Sequence, residues 1–148
     1  MAAFDRICSG YAGLDEVLDS IRLGDNVVWQ VSAVEEFRMF AESFVRQAVR
    51  DGRNVIYIRF AQHEPVLPDL AGVHVRQFDP DQGFEAFTVE IYHEITRQGR
   101  EAFYVFDCLS ELQSAWYTDL MMGNFFQVTC PYLFELDTVA YFPLIRGR

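Results

Sequence analysis

Val27-Val28-Trp29-Gln30-Val31, followed by Ser32-Ala33-Val34-Glu35-Glu36-Phe37-Arg38, is the stretch on which the fold turns. The first five residues are a short apolar run rich in β-branched and aromatic side chains, which predicts a buried strand. From about Val34 to Arg50 the period changes. Val34, Phe37, Ala41, Phe44, Val45 and Ala48 recur at helical spacing and define one apolar face. Glu42 and Arg46 form a favourable i,i+4 pair on another face, and Gly52 is placed to end the helix in a left-handed turn. Asn54-Val55-Ile56-Tyr57-Ile58-Arg59-Phe60 then reads as a second strand. Strand, helix, strand at this spacing is a βαβ unit, and its sheet should be parallel.

The same alternation continues in both directions. After a loop carrying Pro65 and Pro68, a short strand is expected around residues 73–77. Asp79-Pro80-Asp81 should open a helix reaching about Arg97, with Phe84, Phe87, Ile91 and Ile95 inward and Gly99 as its stop. Phe103-Tyr104-Val105-Phe106 is a third buried strand ending on Asp107. Residues 109–136 read as helical but interrupted: Gly123 weakens the pattern and Thr129-Cys130-Pro131 looks like a fresh start, with Pro131 in a first turn. A last strand, Val139-Ala140-Tyr141-Phe142-Pro143-Leu144-Ile145, contains a proline that cannot donate to a ladder and should lie near an edge or end early.

Composition narrows the function classes. The 148 residues fit one domain, and 51% hydrophobic with 14 phenylalanines is ample for a filled core. A net charge of −10 argues against nucleic acid as the main partner. No apolar run is long enough to span a membrane, and no basic start followed by an apolar stretch marks a signal peptide. Cys8, Cys108 and Cys130 have no paired spacing, and His63, His74 and His93 are scattered, so neither disulfides nor a metal site is expected. Together these features predict a cytoplasmic protein.

Three stretches in order resemble the KaiC branch of the RecA-like P-loop ATPases. Ser9-Gly10-Tyr11-Ala12-Gly13-Leu14-Asp15-Glu16-Val17-Leu18 is similar to the family's entry motif, a short helix before the nucleotide-binding strand. Gly24 to Phe60 lines up without a gap, and Phe106-Asp107-Cys108-Leu109-Ser110-Glu111-Leu112 resembles the end of the Walker B strand. The resemblance implies a three-layer RecA-like α/β domain with a mostly parallel sheet. It also locates what is missing. In G-x-x-x-x-G-K-[ST] the glycines let backbone N–H groups wrap the phosphates, the lysine neutralises charge and the hydroxyl holds Mg²⁺. Position by position the glycines fall on Val31 and Glu36, the lysine on Phe37 and the hydroxyl on Arg38. The family's paired glutamates after the second strand fall on Ala61 and Gln62, and Gln62 is no general base.

The replacements carry their own physical reading. Ser32-Ala33-Val34-Glu35 reads as a capping box that satisfies the helix N-terminus internally, while Glu35 and Glu36 place two negative charges where a phosphate would sit. Asp107 survives, most plainly as a strand-end aspartate capping the next segment. With no catalytic set, no metal site and no cofactor expected, the resemblance implies a non-catalytic module for assembly or regulation. An alternative is a small-ligand sensor using the crevice at the strand ends, lined by Ser32, Gln62, His63, Asp107 and Ser110.

The C-terminal third, with Met121-Met122-Gly123-Asn124-Phe125-Phe126 and Cys130-Pro131-Tyr132-Leu133-Phe134-Glu135-Leu136-Asp137-Thr138, resembles the opening region of some bacterial phosphoenolpyruvate synthase / pyruvate phosphate dikinase proteins. That resemblance implies the N-terminal part of a longer ATP-dependent pyruvate phosphotransferase, a kinase in which this domain would at most help to bind nucleotide. RecA-like domains continue with at least one more helix and strand, so truncation of the fold is expected. An apolar face around Met121, Phe125, Tyr132 and Tyr141 is expected to contact a second copy or the following domains.

Overall fold

The computed structural model describes residues 6–18, 20–60, 64–116 and 119–145. It opens with a small antiparallel pair, β1 (Arg6–Ile7) and β2 (Ile21–Arg22), bracketing the short helix α1 (Ala12–Leu18). Five parallel strands then build the main sheet: β3 (Asn26–Val31), β4 (Val55–Arg59), β5 (Val73–Gln77), β6 (Phe103–Asp107) and β7 (Val139–Ile145). Their spatial order is β3-β7-β6-β4-β5. Helices α2 (Val34–Arg50), α3 (Phe84–Gln98), α4 (Leu109–Trp116) and α5 (Asp119–Glu135) connect them.

The period-two alternation of the strands separates two cores. Val55, Tyr57, Phe103, Val105, Val139 and Tyr141 point to one face, where they meet Phe37, Ala41, Phe44, Val45 and Ala48 of α2. Ile56, Ile58, Tyr104, Phe106, Ala140 and Phe142 point to the other, against Phe87, Ile91 and Ile95 of α3, Leu109 and Leu112 of α4, and Phe125 and Leu133 of α5. The result is a three-layer α/β fold with an all-parallel central sheet, consistent with the RecA-like class. Phe44 sits at the centre of the first core, its ring stacked 3.9 Å from Tyr141 and 5.6 Å from Phe103.

The entry segment is locked by its small residues. Asp15 Oδ1 accepts from the Ser9 N–H at 2.9 Å, and Ser9 Oγ in turn accepts from the Tyr11 N–H. Gly10, at φ +85°, lies so close to α2 that a Cβ there would stand 2.2 Å from the Ser43 carbonyl oxygen. No other residue fits without moving backbone.

Three expectations need correction. The helix opened at Asp79 is two elements: a 3₁₀ turn over Pro80–Gln82, with Asp79 Oδ1 accepting from the Asp81 N–H, then a break at Gly83 before α3. Pro131 does not begin a helix but lies inside α5. An interior proline costs about 3 kcal/mol, which the burial of Phe125, Thr129 and Leu133 on either side offsets. The proline strand β7 lies, as expected, near an edge: it is next to the end strand β3 and pairs with β6 on its other side. Its pairing with β6 does end early, at Tyr141, so Pro143 faces only β3 in the ladder, opposite Trp29. Finally, the apolar face expected around Met121, Phe125, Tyr132 and Tyr141 turns inward. Phe125 and Tyr141 are fully buried, and half-buried Tyr132 stacks on Tyr92 at 4.5 Å.

The β5 edge is tied down by charge. Buried Glu94 of α3 accepts from Gln98 Nε2 at 2.7 Å, pairs with Arg97, and meets Arg76 Nε of β5 at 3.4 Å. Burial works against its ionised form, but these donors and cations outweigh it and hold the carboxyl below its ordinary pKa. No helix among the described residues is long and apolar enough to cross a membrane.

Candidate functional site

The candidate site lies where β3, β7, β6 and β4 end together, beside the start of α2. Among the residues that line it are Val31, Val34, Phe37, Val66, Asp107, Cys108, Pro143 and Ile145. The space among them is about 160 Å³ with no room for a water molecule. Ligand pockets run to roughly 300–1,000 Å³, so this crevice is filled.

Phe37 does most of the filling. It is fully buried, and its ring packs 6.2 Å from Trp29 and 6.3 Å from Tyr141. Arg38, the next residue, donates from Nε to the Val66 carbonyl at 3.1 Å. That bond draws the loop after β4 over the strand ends, where Val66 and Leu67 are buried.

The start of α2 is satisfied by Glu36. Its Oε1 accepts from the Ser32 N–H at 2.6 Å and lies 3.3 Å from the Ala33 nitrogen. The N-cap is Ala33, which has no side-chain acceptor, so only the return half of a capping box forms. The box expected from Ser32 and Glu35 is thus shifted by one residue, and the side chain that caps is Glu36. A carboxylate oxygen occupies the amides that a phosphate oxygen would need. Ser32 and Glu35 are exposed, the latter beside Arg38, Met39 and Glu42. In water a like charge at 4 Å repels by only about 1 kcal/mol, against about 4 kcal/mol at the protein surface dielectric. Charge repulsion is therefore secondary, and the plug of Phe37 and the occupied amides weigh more. Glu36→Ala is expected to lower unfolding free energy by about 1 kcal/mol, as loss of a cap does, while Ser32→Ala leaves it within about 0.5 kcal/mol. Denaturant melts of the two variants check this; the reverse ranking would return the cap to Ser32.

Asp107 is fully buried and reaches sideways to β4. Tyr57 donates its hydroxyl to Asp107 Oδ2 at 2.5 Å, and Arg59 Nε lies 3.6 Å from the same oxygen. The Tyr57 oxygen also accepts from the Val66 N–H at 2.8 Å. Desolvation, and after it the Asp107 charge, push the Tyr57 phenol far above its ordinary pKa, so it stays a donor. Neighbouring Cys108 is raised to about 11, first by burial and then by Asp107, and is no nucleophile at neutral pH. Sequence reasoning missed Tyr57 as the partner of Asp107, and Val66 as the partner of Tyr57. Tyr57 had a signal: a phenol flanked by the aliphatic core residues Ile56 and Ile58.

The sensor residues are not brought together in an open crevice. Ser32 is exposed and Asp107 enclosed; Ser110 Oγ accepts from the Ile145 N–H at 2.8 Å and clamps the end of β7. Ala61, Gln62 and His63 lie outside the described residues. No group of three or more His, Cys, Asp or Glu side chains among the described residues could hold a metal ion. No family model and no curated protein matches the chain.

Proposed function

We propose that this chain is a non-catalytic module of the RecA/KaiC-like P-loop type that acts through protein contacts, in assembly or regulation. One observation carries the reading: the position that the resemblance gives to a phosphate-binding lysine holds a fully buried phenylalanine, Phe37, and Glu36 holds the Ser32 amide just before the helix. Such a site offers a nucleotide neither space nor free donors. The similarity of residues 123–126 and 130–138 to pyruvate phosphotransferase sequences supports attachment of the module to such an enzyme, whose chemistry would reside in other domains. A small-ligand sensor is less favoured because the crevice is filled.

Calorimetric titration with Mg-ATP tests the proposal. No heat above dilution, and no phosphate release, are expected. Micromolar binding that depends on Mg²⁺ would overturn it, and would favour a nucleotide-binding part of a kinase instead.

A further inference from the structure

Charge is divided along the exposed side of α3. Glu85 and Glu90 are exposed on its first half, just after Asp79 and Asp81. Its second half exposes His93 and Arg97, and Arg100 follows at its end. The third glutamate of the helix, Glu94, is buried and already meets Arg97 and Arg76. This order suits the helix dipole within one chain. It also makes the helix complementary in charge to an antiparallel copy of itself.

Between the two charged halves the surface is apolar. Val89 is 52% exposed and Tyr92 45%. Helix α5 runs beside α3 in the same direction, for Phe87 lies 5.8 Å from Phe125 and Tyr92 is stacked 4.5 Å from Tyr132. Val128, also half exposed, stands one turn before Tyr132. The two helices therefore carry Val89 and Val128 at one level, and Tyr92 and Tyr132 at the next.

We propose that the α3–α5 face packs against the same face of a second copy of this chain, with the helices antiparallel about a twofold axis between Val89 and Tyr92. The proposal rests on the reading of this chain as a contact module and names its surface. The register is self-complementary. Each Val89 comes opposite a Tyr92, and each Val128 opposite a Tyr132. Asp81 then comes opposite Arg100, and Glu85 comes beside Arg97. Glu135 of α5 falls opposite Phe125, so no carboxylate of the two helices is set opposite another. Some of these charges have partners in their own chain: Glu90 accepts from Gln82 Nε2, and Arg100 pairs with Asp137. A guanidinium has five donors and a carboxylate about four acceptor sites, so an exposed head can take a second partner. Two copies of net charge −10 repel over most of their surface. On this face each acidic half meets a basic one, which makes a like copy the fitting occupant. A twofold contact uses the face of both copies at once and closes at two.

Sedimentation equilibrium of the whole chain over a wide concentration range is the test. The expected mass is twice 17.2 kDa, falling toward 17.2 kDa on dilution, and falling sooner at high salt, which screens the paired charges. Val89→Glu puts a carboxylate into the apolar centre and should hold the chain at 17.2 kDa. Glu85→Arg should raise the dissociation constant about tenfold or more, because each substitution acts twice across a twofold axis. Both side chains are exposed, so both variants should keep the circular dichroism spectrum of the wild type. Val17→Glu, on α1, should leave the mass unchanged. A mass of 17.2 kDa at every concentration overturns the proposal, whether or not another segment covers α3. A dimer that both variants leave intact, or that salt does not weaken, overturns it as well. Should Val89→Glu fold poorly, Glu85→Arg and the salt dependence of the wild type still decide. A monomer that does not bind Mg-ATP removes this interface and leaves the filled phosphate site standing; nucleotide binding removes that reading whatever the mass.

Discussion

Phe37→Lys, which puts a lysine where the proposed resemblance to P-loop ATPases would have one, is expected to abolish most of the folded population and to gain no nucleotide binding. Removing a buried phenylalanine from a core costs about 3–5 kcal/mol. Placing an ammonium there adds several kcal/mol more unless it finds a partner. The carboxylate that lines the same crevice, Asp107, already accepts from Tyr57 and is paired with Arg59. A domain of this size has only about 5–15 kcal/mol of stability in total. Circular dichroism melts and denaturant midpoints should fall sharply, and any folded remainder should ignore Mg-ATP because Glu36 still holds the Ser32 and Ala33 amides just before α2. A folded variant with the wild-type midpoint and Mg-ATP binding would show that one side chain alone closed the site.

The second large effect is expected from Tyr57→Phe. Removing one oxygen leaves Asp107 Oδ2 without its 2.5 Å donor and the buried Val66 N–H without its acceptor. A hydrogen bond to a charged group contributes about 1.5–3 kcal/mol, and an orphaned buried donor costs about 1–3 kcal/mol. A loss of roughly 3 kcal/mol is therefore expected, with Arg59 still beside Asp107 to limit it. Exchange of the Val66 amide should accelerate more than that of residues deep in β6, because the loop over the strand ends has lost its anchor to the sheet. Unchanged stability together with an unchanged Val66 amide would mean that Arg38 alone holds the loop.

Both predictions concern side chains whose importance the sequence disclosed unevenly. Phe37 was legible as an inward residue at the start of α2 because the strand and helix on either side of it are strongly periodic. Its role as a plug was not legible, because a phenylalanine on an amphipathic helix reads as core whatever it packs against. Glu36 was misjudged for a smaller reason. Ser32 is the better capping residue by propensity, but the helix begins one residue later than Ser32 would allow, and capping geometry does not survive a shift of one position. Asp107 was visible as a strand-end carboxylate, but its partner Tyr57 is fifty residues away, and no local pattern links them.

Local patterning determined the order of elements, the parallel character of the sheet, and the absence of a G-x-x-x-x-G-K-[ST] pattern at the start of α2. Those features depend on periods of two and 3.6 residues and on residue types at fixed offsets, all contained within a few turns of chain. Strand order, the interior position of β7, the helix that continues through Pro131 and the closing of the crevice by Val66 were settled by packing. Each depends on which distant surfaces meet, and long-range burial outweighed the local cost of a proline or an unusual cap.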